Sequence, residues 1–190
     1  MVNAGHDVDI VYATDATSPR SDDIDKRSYA VAGAEHLGLS AESLHYLGFT
    51  EMRFDEVPLL EMNRRFEELD LDPDVILTNS KHDVNQDHDK VFESALVVGR
   101  SIEKQVGLLT CEIISSAEWN DVPFDPNFYV DISDTIDQKV AAMNEIKPEI
   151  REWPHPRSPE GIRVKAKQRG MEVGYQYAET YHVIRWFDFD

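Results

Sequence analysis

Apolar residues in this chain fall into short unbroken runs that alternate with longer stretches in which they recur at helical spacing. Val8-Asp9-Ile10-Val11-Tyr12-Ala13 is β-branched and aromatic, and predicts a strand over 8–13. Residues 16–23 are polar, carry Ser18-Pro19, and predict a loop that closes on a helix cap. An Ala-rich helix is predicted over 24–37, stopped by Gly38. A short strand over 44–47 comes next, then a helix opened by Pro58 and running through Leu69. Pro73 blocks further helix, and Val75-Ile76-Leu77-Thr78 predicts a strand of the kind buried on both faces. After a polar loop over 79–86, the pattern predicts a helix over 87–103, a strand over 107–114 and strand-like residues 128–130. Asp134 is expected to cap a helix reaching Ile146, and a last helix is expected from Glu160 to about Tyr181.

Strand and helix in turn predict an α/β fold, a three-layer Rossmann-like sandwich with a mostly parallel sheet and its ligand site at the strands' carboxyl ends. A length of 190 residues fits one domain. Ala4-Gly5 running straight into the first strand has the look of a helix end with its left-handed glycine. This predicts a domain over 1–190 that is incomplete at its N-terminus.

Charge changes the picture more than composition does. There are 37 Asp and Glu against 19 Lys and Arg, a net charge of −18. Such a surface repels phosphate backbones and anionic bilayers, so neither a nucleic acid nor a membrane surface is an expected partner. The acids read as a solvated negative face or as adaptation to a high-salt cytoplasm. One cysteine, Cys111, excludes a disulfide framework. No run is apolar and long enough to span a bilayer. No signal peptide is visible, and the expected location is cytoplasmic.

The densest polar cluster, Thr78-Asn79-Ser80-Lys81-His82-Asp83-Val84-Asn85-Gln86-Asp87-His88, lies between a buried strand and a helix. Its Asp-x-Asn-x-Asp-His run supplies an imidazole and carboxylates that suit a metal or proton transfer. The same residues also suit a turn and a helix N-terminus. Arg157, in the Pro-rich segment His155-Pro156-Arg157-Ser158, suits an anion or sugar clamp or a plain ion pair. Arg27 carries the same two readings. Ser elbow, Walker loop and Gly-x-Gly-x-x-Gly are all absent from the sequence.

Taken in order, several segments resemble the LmbE-like, or PIG-L-like, family of zinc-dependent sugar N-deacetylases. They are Gly5-His6-Asp7-Val8 leading to Thr14-Asp15, Lys26-Arg27 with Ala34-Glu35-His36-Leu37-Gly38, and Leu47-Gly48-Phe49. Pro73-Asp74-Val75-Ile76-Leu77-Thr78, Asp83-Val84-Asn85-Gln86-Asp87-His88 and Ser115-Ser116-Ala117-Glu118-Trp119 come after them. Asn127-Phe128-Tyr129-Val130-Asp131-Ile132, Pro154-His155-Pro156-Arg157-Ser158-Pro159 and Tyr177-Ala178-Glu179 complete the series. The resemblance implies hydrolysis of the acetyl amide of an N-acetyl amino sugar conjugate, with Zn²⁺ as cofactor and His88 as a zinc ligand. It further implies catalytic roles for Asp87 and Asn85 and substrate contacts for Arg27, Asp15 and Arg157. A homo-oligomer is compatible with it.

The family's early Ala-His-Pro-Asp-Asp-Glu loop has no counterpart here. Met1 falls where the family is already past its first strand and first helix. Two zinc ligands and the general base are therefore expected to be missing, zinc to be weak or absent, and the chain as it stands to be inactive. Where many relatives carry a His three residues before the zinc His, this chain has Asn85. The strands near Val8 and Val75 are expected to show unpaired edges. Three readings stay open: a zinc deacetylase lacking its N-terminal segment through a misplaced start or a split gene, a degenerate paralogue that binds a sugar or partner without catalysis, and an unrelated Rossmann-like binder of a nucleotide-sugar.

Overall fold

A computed structural model describes residues 1–14, 26–81 and 83–188. The chain is a mixed α/β protein of the Rossmann-like sandwich class. It forms two compact units, Met1–Glu51 with Val130–Glu179, and Met52–Tyr129 with Thr180–Asp190. No helix among the described residues is long and apolar enough to cross a membrane.

In the first unit a 3₁₀ turn, Val2–Ala4, ends at Gly5, whose φ of 83° is the left-handed conformation expected of it. Strand β1 (Ile10–Thr14) pairs in parallel with β2 (Leu44–Phe49), and helix α1 (Lys26–His36) connects them. Ala30, Ala34 and Leu44 form a small core, flanked by Tyr12, Val31, Leu39 and Tyr46. Helix α4 (Ile136–Glu145) lies close against α1 at Gly33, where a Cβ would stand 3.0 Å from the Ala142 carbonyl oxygen. Helix α5 (Pro159–Met171) has proline in its first turn, and the hydroxyl of buried Ser158 accepts the Gly161 N–H at 2.9 Å.

In the second unit, helix α2 (Leu59–Glu67) packs on α3 (Gln86–Val98), and the fully buried Ser94 hydroxyl donates to Asn63 Oδ1 at 2.7 Å. Strand β3 (Val75–Asn79) pairs in parallel with β4 (Gly107–Cys111) from Val75↔Gly107 to Asn79↔Cys111. With β5 (Phe128–Asp131) and β6 (Ala178–Arg185) they make a sheet of order β3-β4-β6-β5. β5 and β6 each contribute residues to both units. Among the described residues β1 has one strand partner and β3 has one, so one backbone edge of each carries no ladder bonds.

Several expectations are corrected. The final helix stops at Met171 instead of continuing to Tyr181. The Gly170 carbonyl collects the N–H groups of Val173, Gly174 and Tyr175, and Gly174 turns the chain at φ 85°. Beyond that turn the chain enters β6, antiparallel to β4 with Thr110 opposite His182, so the sheet is less parallel than expected. Helix α3 ends at Val98: the Gly99 N–H makes its last i→i−4 bond, to the Ala95 carbonyl at 3.0 Å, and the Arg100 N–H turns to the Val97 carbonyl instead. β4 ends at Cys111, short of residue 114. Asp134 does not cap α4; Thr135 holds the N-cap position without a side-chain capping bond.

Candidate active site

Beyond the carboxyl end of β3, backbone and side-chain bonds tie down Ser80 on one side and Asp83 and Asn85 on the other. The Ser80 N–H donates to the Cys111 carbonyl at 2.9 Å, fastening the loop to the end of β4. Asp83 Oδ1 accepts the Asn85 N–H at 2.9 Å, and Asn85 Oδ1 accepts the Asp87 N–H at 3.0 Å. The second bond caps α3, satisfying a donor that the helix leaves without a partner. Asn79 Nδ2 donates to the His88 carbonyl at 2.7 Å.

These bonds hold the His88 ring against Asp83. His88 Nδ1 is buried and lies 2.9 Å from Asp83 Oδ2, although the N–H direction misses the oxygen. It is a close polar contact rather than an aligned hydrogen bond. The Asp83 side chain is 1 % exposed and that of His88 27 %. Burial alone pushes the Asp83 carboxyl up, but contacts from His88, the Asn85 N–H and the Ser116 hydroxyl outweigh it and hold it below the ordinary carboxylate value. A carboxylate seated on one imidazole nitrogen orients the ring and leaves Nε2 as the nitrogen open to a ligand or a proton.

Asp87 is 5 % exposed, and its carboxylate accepts the backbone N–H groups of Met52 and, at 3.2 Å, Phe54. It clasps the start of α3 to the segment before α2. Asp83, Asn85, Asp87 and His88 are thus brought together in one unit. The sequence placed His88 beside Asp83, Asn85 and Asp87, and the structure brings Asp83 to within 2.9 Å of its Nδ1; what the sequence did not show is that Asp87 is engaged by backbone N–H groups.

Arg27 and Arg157 belong to the other unit. The Arg27 guanidinium lies 4.5 Å above the Tyr46 ring. Arg157 pairs with Glu149. Asp15 lies outside the described residues, as do His82 and Asp23. His36 meets Glu145 at 3.4 Å and His45 meets Asp9 at 2.8 Å, which accounts for both rings as surface pairs.

The fit to zinc is poor on these residues. Among the described residues no three His, Cys, Asp or Glu side chains converge as metal ligands. His88 offers one imidazole, and Asp83 is engaged with its other nitrogen. A stable protein site needs about three or four ligands, so the described residues do not by themselves build one.

No protein-family model matches the chain, and no curated protein matches it. Solved structures do. The conserved protein TT1542 from Thermus thermophilus superposes with a TM-score of 0.71 at 21% identity, over 100% of this chain and 86% of that one. N,N'-diacetylchitobiose deacetylase from Pyrococcus horikoshii gives 0.70 at 16%, over 96% of this chain and 74% of its own. The A40926 pseudoaglycone deacetylase Dbv21 gives 0.69 at 15%, over 99% of this chain and 89% of its own. At such identities the likeness establishes the fold.

Proposed function

We propose that this chain is of the deacetylase type, its family-level reaction being removal of the acetyl group from an N-acetylated amino sugar or its conjugate, and that the described residues do not carry out that reaction by themselves. The observation that carries the reading is His88, fixed by Asp83 at the carboxyl end of β3, where folds of this class place their ligands. Two of the three similar folds are named as deacetylases, one of them for a diacetylated disaccharide, and this supports the same substrate class here.

Hydrolysis of an acetyl amide requires an activated water at the carbonyl carbon, stabilisation of the oxyanion, and a proton for the departing amine. His88 presents Nε2 toward that chemistry, with Asp83 fixing the ring. Asn85 has spent Oδ1 on the helix cap, which leaves Nδ2 to donate to the substrate carbonyl or to a water. An amide does not titrate, so Asn85 orients and transfers no proton. Asp87, engaged by two backbone amides, is a positioning residue that keeps Asn85 and His88 in place. Substrate contacts for Arg27, Arg157 and Asp15 belong to the proposal through the family resemblance alone. Zn²⁺ belongs to the proposal through the family resemblance alone, and its remaining ligands and the general base would come from outside the described residues.

Zinc content tests this division of labour. The protein as it stands should purify with well below one zinc per chain. Stoichiometric zinc that survives chelator washing and vanishes in His88→Ala would contradict the ligand count. The second reading, sugar or partner binding without catalysis, is favoured by the single imidazole. It wins if sugar binding is measurable while a folded, zinc-loaded preparation carrying the family's His-Pro-Asp-Asp segment releases no amine.

A further inference from the structure

We propose that Ser116 is a positioning residue for His88 and acts on it through Asp83. What the ring then does rests on the deacetylase reading; the contacts themselves lie within the second unit. Asp83 Oδ2 stands 2.9 Å from His88 Nδ1, and the N–H direction misses it. The ring therefore does not hold the carboxylate, whose place is set from elsewhere. The Asp83 side chain is 1 % exposed, so solvent does not hold it either, and a buried carboxylate needs donors on its oxygens. Among the described residues two donors serve it besides the ring. The Asn85 N–H, at 2.9 Å, lies two positions on in the same loop and turns with it. The Ser116 hydroxyl donates from the turn beyond β4, a different element, and so ties Asp83 to the sheet.

The turn that carries Ser116 holds it still. Ser116 is 5 % exposed and Ser115 7 %. Ser115 has a φ of 71°, a left-handed conformation that a residue other than glycine keeps only where its surroundings impose it. Here they do. The Ser115 N–H donates to the Glu118 carboxylate at 2.7 Å. The Ile113 carbonyl accepts the N–H groups of Ser116 at 3.0 Å and Ala117 at 2.9 Å, and the Trp119 N–H closes on the Ser116 carbonyl at 3.1 Å. The product of that strained turn is a buried hydroxyl aimed at Asp83. A carboxylate kept facing Nδ1 favours the proton on that nitrogen, and the neutral ring then carries its lone pair on Nε2. Without the hydroxyl, Asp83 is free to turn and Nδ1 loses what fixes its proton.

Nitrogen-15 spectra of the imidazole rings in the whole, metal-free chain test this. They are taken about two pH units above the ordinary His pKa of about 6.5, where the rings are neutral. His88 is assigned by the signal missing from His88→Ala. In the parent its ring should be chiefly the Nδ1–H tautomer. Ser116→Ala should shift it toward the Nε2–H tautomer, the form an unconstrained imidazole favours. Glu118→Ala, an exposed change that unties the turn, should shift it the same way by less. Ser94→Ala controls for simple loss of a buried hydrogen bond. Its hydroxyl is fully buried in the helix that carries His88 and donates to Asn63 at 2.7 Å. Its loss should lower the unfolding midpoint and leave the His88 tautomer as in the parent. A parent ring already Nε2–H, a parent-like ring in folded Ser116→Ala, or an equal shift in Ser94→Ala overturns the role. Should Ser116→Ala not fold, a parent-like ring in Glu118→Ala overturns it. In the chain supplied with the His-Pro-Asp-Asp segment, Ser116→Ala should lower kcat about 10–100-fold and leave KM within about twofold. A shifted tautomer with no amine released by the supplemented parent upholds the positioning role and counts against the deacetylase reading alone.

Discussion

Asp83 gathers the polar contacts of the site, and its acidity reports on them. Its carboxyl is held below the ordinary value, because the contacts from His88, Asn85 and Ser116 outweigh its burial. A group whose folded pKa is depressed stabilises the fold above its unfolded pKa, about 3.9 for Asp, and that stabilisation fades as pH falls through the folded value. Urea unfolding of the parent and of Asp83→Asn should therefore differ most at neutral pH. The gap should close in acid below the usual carboxylate range, and a gap that stays constant from pH 7 to strong acid would contradict this. Asn85 is a second residue-scale test. Asn85→Ala removes the acceptor at the start of α3 and should cost about 1 kcal/mol in unfolding free energy. Asn85→Asp keeps the acceptor and should recover most of that loss.

Elements pack through glycines where a backbone must come close. A Cβ on Gly170 would stand 2.5 Å from the Tyr175 carbonyl oxygen, and one on Gly161 would stand 2.6 Å from that of Pro156. Neither neighbour is a flexible side-chain end, so Gly170→Ala and Gly161→Ala should each destabilise by about 1–3 kcal/mol. At this length each kcal/mol lowers Tm by roughly 2–4 °C; unchanged melting of either variant would show that the backbone yields there at no cost. The turn at Gly170 also leads into the element that the sequence concealed. β3 and α1 were legible, because a β-branched run after Pro73 and an Ala-rich run before Gly38 carry their own signals. β6 was not. Residues 178–185 become a strand through pairing with β4, some seventy positions upstream in sequence, and local periodicity is blind to such a partner. His88 was legible from the Asp-His pair, whereas the clasp on Asp87 comes from backbone N–H groups of Met52 and Phe54. Backbone donors leave no mark in residue identity.

At the scale of the molecule, a net charge of −18 opposes compaction through self-repulsion. Salt screens such repulsion, with a Debye length of about 10 Å at 0.1 M and 3 Å at 1 M. Melting temperature should rise from dilute buffer to molar KCl, and a flat or falling series would mean that the acids are already compensated. Function is also a property of the whole, because among the described residues the His88 site supplies one imidazole and its positioning shell but not a complete set of metal ligands. The measurement that tests this most directly is amine release from N-acetylglucosamine conjugates, followed with fluorescamine in the presence of Zn²⁺. The chain alone should release none. Supplied with a family-like segment carrying His-Pro-Asp-Asp, it should bind zinc and release amine, and His88→Ala should abolish that release. Turnover by the unsupplemented chain, or silence from a folded, zinc-loaded, supplemented chain across a panel of N-acetyl sugars, would contradict the account.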